Sequence, residues 1–493
     1  MRSALILSMF VAFGMPTTLA FAQTKTVSST EVLIKLSSGV NAQSFAATFS
    51  GLGGRTESKI QVLTDSWIKI ESTAPRSRLM RLTQNPAIEY IQPNYTLGLL
   101  EDYRVQDPLR RAALKRGLQR EPEDLTAFQM ADNPEIPALP SIQKGKDPLL
   151  TKQWGLTELN VTDAWKKSQG DPNMIVAVLD TGVDYTHEDL NANIWRNPGE
   201  IGLDSEGKDK ASNGIDDDNN GYIDDVIGWD FVSKDNKPFD LAVDPKQLLI
   251  SGGNPGHGTH CAGTIGATAN NNIGIAGLAP NVKIMPLRFI SEKGSGTTAD
   301  AVLAIRYAVD NGAKILSNSW GGESPRAEDS AENRALIEAI QYAESKGALF
   351  VAAAGNGRAG NGFDMDTDSH PVYPASYEFE SILSVAALDQ NGSLAPFSNF
   401  GIQSVDLGAP GVAVFSTTVG SKYSDKVLEF RGFEITWDGT SMAAPHAAAA
   451  AAWYWSQHPT KTALQVKEAL MTSAEKIPAL AGKLATEGRL RLP

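Results

Sequence analysis

Hydrophobic and polar positions along the chain follow two successive regimes. Between residues 30 and 98 the apolar runs are short: "EVLIKLSS" reads as a strand, "NAQSFAATFSGL" as a helix, and "SKIQVLTDSWIKIES" as two strands or a hairpin. "APRSRLMRLTQNPAIEYIQPNY" then reads as a helix followed by a strand, completing a βαββαβ order. That is the split-βαβ arrangement of a small α+β, ferredoxin-like domain. From about Gln153 the regime changes. "MIVAVLD" (174–180) is a continuous apolar run, as expected of a strand buried on both faces. "TTADAVLAIRYAVDNG" predicts a helix: Thr297 and Asp300 fit a capping box, Val302, Ile305 and Val309 recur on one face, and Gly312 stops it. "AKILSNS" follows as a strand, "AENRALIEAIQYAESKG" as a helix, and "ALFVAAAGN" as another buried strand. This alternation predicts an α/β domain, a three-layer, mostly parallel sheet with helices on both faces and right-handed crossovers. Active sites in such sheets lie at the carboxyl ends of strands, where Asp180 and Asn356 both fall.

Composition adds limits. The chain has 493 residues, 42% of them apolar and 20% charged, which is ample for two or three domains. The net charge of −13 argues against nucleic acid as a partner, because phosphate neutralisation needs a basic surface. Residues 1–22 read as a secretory signal: Arg2, an apolar run, then Ala20-Phe21-Ala22 as a cleavage site before Gln23. The run is short for a bilayer span and no later stretch is long enough, so the expectation is an exported, soluble protein with no membrane association after signal cleavage. Residues 99–148, with "RRAALKRGLQREPEDL", have the composition of an exposed linker or processing region. Cys261 is the sole cysteine, which excludes an intramolecular disulfide. The expected division is signal 1–22, small domain 23–98, linker 99–148 and α/β domain 149–493.

Three stretches carry chemistry: "AVLDTGVDYTHEDL" with Asp180, "GHGTHCAGTIGA" with His257, and "DGTSMAAPHAAAA" with Ser441. Amide hydrolysis needs a nucleophile, a base to take its proton and an acid to orient the base, and these residue types supply the three roles. Ser441 precedes an alanine-rich segment read as a helix, placing its hydroxyl at the positive end. Each residue alone has a plainer reading, since a serine before a helix is most often an N-cap. Three local sequences together, in the order Asp, His, Ser, shift the balance toward catalysis.

At this point the chain resembles the subtilisin-like serine proteases, the subtilase family. "LDTGVDYTHEDL", "HGTHCAGT" and "GTSMAAPH" match its three signature regions nearly throughout. The resemblance implies that Asp180 orients the base, His257 is the general base and Ser441 the nucleophile. "AAAGN" matches the oxyanion segment, making Asn356 a side-chain donor beside the Ser441 N–H. "SNSWGG" resembles the strand lining the primary specificity pocket, with Ser319, Trp320 and Gly321 along its rim, although Trp320 replaces a smaller aliphatic residue. The βαββαβ segment and its ending "AIEYIQPNY" resemble the family's inhibitory propeptide, which aids folding, blocks the cleft and is removed autocatalytically. The implied protein is a monomeric, secreted serine endopeptidase acting on protein or peptide substrates, made as a zymogen with its own propeptide as intramolecular inhibitor. Cys261, four residues after His257, reads either as a thiol near the active site or, preferably, as a small buried residue on the helix carrying that histidine.

Two calcium sites are expected, and no catalytic metal. "HEDL" and "NNNIGIAGLAP" resemble the family's tight site, which implies side-chain oxygens from Gln153, Asp189 and Asn271, with backbone carbonyls around Ala269, Ile273 and Ile275. The other is read from spacing. "NGIDDDNNGYIDD" places Asp216, Asp218, Asn220 and Gly221 at positions one, three, five and six of an EF-hand loop, but the twelfth position is Ile227 rather than glutamate. Asp216, Asp218, Asn220 and Asp224 are expected to converge on one ion, with the Tyr222 carbonyl and Asp225 as a candidate bidentate ligand. The alternative is a solvated acidic loop. The stretch lies in an acidic insertion, residues 199–245, between Asp180 and His257.

Overall fold

Two sheets carry the two regimes in a computed structural model that describes residues 31–49, 58–74, 76–101, 134–140, 144–325, 333–430 and 433–493. The expected signal segment and residues 102–133 of the expected linker lie outside the described residues. The small sheet contains β1 (Glu31–Leu36), β2 (Ser58–Val62), β3 (Trp67–Ser72) and β4 (Ile88–Pro93), with helix α1 (Ala42–Thr48) after β1 and a helical turn (Arg76–Leu79) before β4. Its strands lie in the order β2-β3-β1-β4 and pair antiparallel throughout. Alternation divides β1 between two partners. Val32, Ile34 and Leu36 face the small core with Ile68, Ile70 and Leu79, whereas Leu33 packs with Trp67 in a cluster shared with the large domain.

The segment after β4 continues as β5 (Thr96–Leu99) and leaves the small sheet. The large domain follows with β6 (Ile175–Asp180), β7 (Trp229–Asp230), α2 (His257–Gly266), β8 (Lys283–Arg288), β9 (Ser295–Thr297), α3 (Thr298–Asp310), β10 (Ile315–Asn318) and β11 (Trp320–Glu323). Then come α4 (Arg334–Ser345), β12 (Leu349–Ala353), β13 (Val372–Tyr373), β14 (Ile382–Leu388), β15 (Leu407–Pro410) and α5 (Thr440–Gln457). Among the described residues nine strands form the main sheet, in the order Glu475–Lys476, Gly488–Arg489, β15, β14, β12, β10, β6, β8, β7. All its pairings are parallel except that between the first two.

The sequence of β6 explains why it is central. Val176 and Val178 point into the cluster containing Cys261, Ile265 and the alanines of α5, while Ala177 and Leu179 point into the cluster containing α3 and α4. A strand apolar on both faces fits only between two helical layers. The chain leaves β6 for β8 on one side and returns to β10 on the other. This reversal opens a crevice at the carboxyl end of β6, and Asp180 is the last residue of that strand. Helix α5 is buried on every side from Thr440 to Ala452, and its alanines let it pack against α2 and under β10, β12, β14 and β15.

The small domain docks through helix ends. Asn94 Oδ1 accepts the Ala299 N–H in the first turn of α3 at 2.9 Å, and Gln92 Oε1 accepts the Ala335 N–H in the first turn of α4 at 3.0 Å. Those donors have no partner within their own helices. Trp67 Nε1 adds a 2.8 Å bond to Glu338. Residues near the end of the expected linker are also tied down: the Pro134 carbonyl accepts the Tyr185 hydroxyl at 2.6 Å, and the Pro137 carbonyl accepts Arg196 Nη2 at 2.8 Å.

Candidate active site

Asp180, His257 and Ser441 lie 77 and 184 residues apart in sequence and come from a strand end and two helix starts. Asp180 Oδ1 lies 2.8 Å from His257 Nδ1, and both side chains are buried. Gly258 permits the approach, because a Cβ there would stand 2.1 Å from the Gly182 carbonyl oxygen. Asn254 Oδ1 accepts the N–H groups of Gly256 and His257 at 2.8 and 2.9 Å, which pins the start of α2. Burial opposes a charge on His257, but the Asp180 carboxylate outweighs it and holds the imidazole pKa well above its ordinary value.

Ser441 Oγ donates to the Ser319 carbonyl at 3.2 Å. The other ring nitrogen, His257 Nε2, faces Glu101 Oε2 at 3.4 Å. Asn356 is fixed by its own oxygen: Oδ1 accepts the Thr440 N–H at 2.8 Å and the Thr440 hydroxyl at 2.9 Å. Its Nδ2 is thereby turned into the cleft, where it donates to Glu101 Oε1 at 2.9 Å. A fixed amide donor beside a serine at a helix start is suited to stabilise the oxyanion of a tetrahedral intermediate.

The cleft holds a strand of the same chain. β5 runs antiparallel between β9 and β11, with Leu97 opposite Gly296, Gly98 opposite Gly321, and Leu99 opposite Trp320. Of the predicted pocket residues, Gly321 pairs with this strand through its backbone, while the Ser319 carbonyl accepts the Ser441 hydroxyl and the Ser319 hydroxyl donates to the Ser441 carbonyl at 2.9 Å. The Trp320 indole is fully buried beneath the strand, edge-on to Phe289 at 4.9 Å and to Phe350 at 6.4 Å. It forms floor rather than rim.

These features match known proteins. The model of the subtilase family of peptidases matches residues 171–489. The chain belongs to the subtilase family. Relatives of this subtilase include the thermophilic serine proteinase of Bacillus sp. (strain AK1), 30% identical over 91% of this chain and 82% of that protein. Thermitase of Thermoactinomyces vulgaris is 34% identical over 67% of this chain and 91% of its own. Among solved structures, fervidolysin from Fervidobacterium pennivorans, a keratinolytic enzyme related to subtilisin, superposes with a TM-score of 0.63. That match has 24% identity and covers 94% of this chain and 60% of fervidolysin, so it speaks for the fold. The subtilase is accordingly a serine endopeptidase.

Cys261 of this subtilase is buried, with Sγ 3.5 Å from the Ser441 carbonyl oxygen and 3.7 Å from Ser319 Oγ. Burial pushes its thiol pKa up, so it packs behind His257 and Ser441 rather than acting as a thiolate.

The first expected calcium region is built of buried oxygens, whereas the second combines buried Glu200 and Asp225 with exposed Asp218. In the first, Asp189 accepts the Asn271 amide at 2.6 Å and the Ile275 N–H at 2.8 Å, and Gln153 Oε1 accepts the Ala276 N–H at 3.1 Å. Ile275 thus meets Asp189 through its N–H. None of these donors carries charge, and burial raises the Asp189 pKa to about 7. A buried carboxylate facing only neutral donors, beside amide and carbonyl oxygens, fits a hard cation. Asp147 joins this region, receiving the Asn270 and Asn271 N–H groups at 2.9 and 3.1 Å, and no spacing pattern in the sequence singled it out.

In the acidic insertion the expected ligand set needs correction. Oxygens of Glu200, Asp218 and Asp225 lie within 4.8 Å of one another. Asp224 is turned away and accepts the Gly214 N–H at 3.1 Å, because its backbone is left-handed with φ 53°. Asp216 closes a turn, accepting the Asn220 and Gly221 N–H groups at 3.0 and 2.8 Å. Asn220 stays at the site, donating its amide to Asp225 at 2.9 Å and to Asp218 at 3.2 Å. Glu200 is fully buried: Oε1 accepts the Asp217 and Asp218 N–H groups at 2.7 and 3.2 Å, and Oε2 has no partner. Burial lifts the Asp225 pKa to about 6. An orphaned carboxylate oxygen between two other carboxylates is the environment a calcium ion satisfies.

Proposed function

We propose that this subtilase is an exported endopeptidase that hydrolyses peptide bonds in proteins and is made as a self-processing proenzyme. The observation that carries the reading is the 2.8 Å Asp180–His257 contact beside Ser441, in a cleft filled by a strand of the same chain. Ser441 attacks the scissile carbonyl, His257 takes the hydroxyl proton and returns it to the leaving amine, and Asn356 holds the oxyanion. Water activated by the same histidine then releases the acyl group. The small amino-terminal domain acts as the intramolecular inhibitor, a role supported by β5 in the cleft and by the caps that Gln92 and Asn94 place on α4 and α3. Export rests on the expected signal at residues 1–22, and no helix among the described residues is long and apolar enough to cross a membrane.

Calcium is structural in this reading. Gln153, Asp189 and Asn271 would hold one ion, and Glu200, Asp218 and Asp225 another. The ion supplies charge compensation for buried carboxylates and leaves the hydrolytic step to the triad.

Ser441→Ala tests the reading: it abolishes casein hydrolysis and leaves the precursor uncut. Maturation of that variant at the wild-type rate, with no other protease present, sinks the self-processing claim. Labelling of the wild type by a serine-directed fluorophosphonate separates an active enzyme from a silent peptide-binding relative.

A further inference from the structure

We propose that the Leu100–Glu101 peptide bond is the first bond this subtilase cuts in its own chain. The inference rests on the reading of the protein as a self-processing endopeptidase and names the bond that reading leaves open. The antiparallel register fixes one flank. Gly98 stands opposite Gly321 and Leu99 opposite Trp320. Such pairing advances one residue per residue, so Leu100 comes beside Ser319, whose carbonyl receives the Ser441 hydroxyl at 3.2 Å. Glu101 fixes the other flank. Its carboxylate sits 2.9 Å from Asn356 Nδ2 and 3.4 Å from His257 Nε2, and its side chain is 5% exposed. The chain therefore passes the nucleophile between these two residues.

The side chains agree with that placement. Leu97 and Leu99 alternate onto one face, 6% and 5% exposed, and join the cluster that includes Trp320, Phe289 and Ile290. Leu100 leans toward Gly321, where an added Cβ would lie 3.2 Å from Leu100 Cδ2. Gly439 leaves room for Glu101, since a Cβ there would meet Glu101 Oε1 at 2.1 Å. The subsites thus take an extended chain with apolar residues at the first, second and fourth positions before the bond, and an acid after it.

Before attack, the Glu101 carboxylate leaves Asn356 Nδ2 and frees that donor for the Leu100 carbonyl oxygen. Ser441 Oγ then bonds to the Leu100 carbonyl carbon and its proton passes to His257. The C–N bond breaks and the proton moves to the Glu101 nitrogen. One water, deprotonated by His257, displaces Ser441 Oγ, which takes that proton back from His257, and the new carboxyl releases its own proton to solvent to leave the Leu100 carboxylate.

The test is a time course on full-length precursor, read by intact mass and amino-terminal sequencing, with Ser441→Ala as the uncut control and fluorophosphonate labelling run in parallel. The expected first products are a fragment ending at Leu100 and a chain beginning at Glu101, absent from the control. Leu100→Asp delays them by at least about tenfold, as expected for a mismatched apolar subsite, whereas Leu139→Asp, at an exposed position, does not. Labelled protein whose first cut falls elsewhere, or that does not cut itself, overturns the bond and leaves the hydrolase reading intact. Protein that neither labels nor cuts overturns both.

Discussion

Asp180 Oδ1 and His257 Nδ1, 2.8 Å apart, join the end of the central strand to the first residue of a buried helix. The contact decides which ring nitrogen carries the proton and leaves Nε2 directed into the cleft. Asp180→Asn keeps the shape but loses the charge and the correct tautomer. In the mature enzyme, kcat on a chromogenic peptide should fall by about 10⁴ with KM little changed. Because the carboxylate is what raises the imidazole pKa against burial, its removal also moves the acid limb of kcat/KM to lower pH. The stability effect has the same sign. A pKa raised on folding contributes stability that is complete below the unfolded value of 6.5 and fades as pH rises through the folded value. The variant should therefore lose more Tm at pH 5 than at high pH. An unmoved acid limb would contradict this account.

Asn356 has two jobs that one substitution separates. Its oxygen holds the Thr440 N–H at the start of α5, and its nitrogen donates to Glu101 in the cleft and is the proposed oxyanion donor. Asn356→Asp retains the acceptor and loses the donor. The expectation is a loss of about 10²–10³ in kcat, of the size known for that donor in subtilisin, with Tm nearly unchanged. A matching fall in Tm would assign the residue to helix capping alone.

The main sheet and the Asp180–His257 contact were legible in the sequence because their determinants are local. A strand apolar on both faces announces itself in β6, and Asp180, His257 and Ser441, the proposed catalytic residues, each sit in a contiguous motif. Glu101 was not legible: its Asn356 contact spans 255 residues and depends on how β5 threads the cleft. The ligand spacing at 216–225 was legible only in part. It assumes a loop turning regularly, whereas the left-handed turn at Asp224 swings that side chain to Gly214 and brings Asp225 inward. Glu200 comes from a separate stretch of the insertion, with no spacing to mark it.

That correction makes the calcium site testable. Glu200→Gln retains an oxygen for the Asp217 and Asp218 N–H groups and removes one ligand charge, so it should lose most of the rise in Tm that calcium gives. Asp224→Ala should keep that rise. For a single site, calcium at 100 times its Kd stabilises by about 2.7 kcal/mol. In chelator the Asp225 pKa, about 6 when folded against 3.8 ordinarily, gives a definite sign. Stability relative to the unfolded chain is complete below 3.8 and is lost as pH rises through about 6, and calcium should reverse the loss. Equal calcium responses in Glu200→Gln and the wild type would reject this ligand set.

Asp240 is the buried group through which the two halves of the Asp180–His257 pair share a support. Its carboxylate accepts the Thr181 hydroxyl at 2.8 Å, the Asn254 amide at 2.6 Å, and the Thr259 N–H and hydroxyl at 2.9 and 2.6 Å. Thr181 follows Asp180, and Asn254 and Thr259 flank His257, so Asp240 sets their separation without touching the reacting atoms. Asp240→Ala leaves these donors without their acceptor in a site with no exposure and should cost about 3 kcal/mol or more. If Asp240 positions the pair, the folded variant, assayed well below its Tm, also loses kcat by about 10²-fold, the scale of a 1 Å misplacement. Asp240→Asn, which keeps one acceptor oxygen, should recover part of both losses. A folded Asp240→Ala enzyme with wild-type kcat would confine the residue to stability.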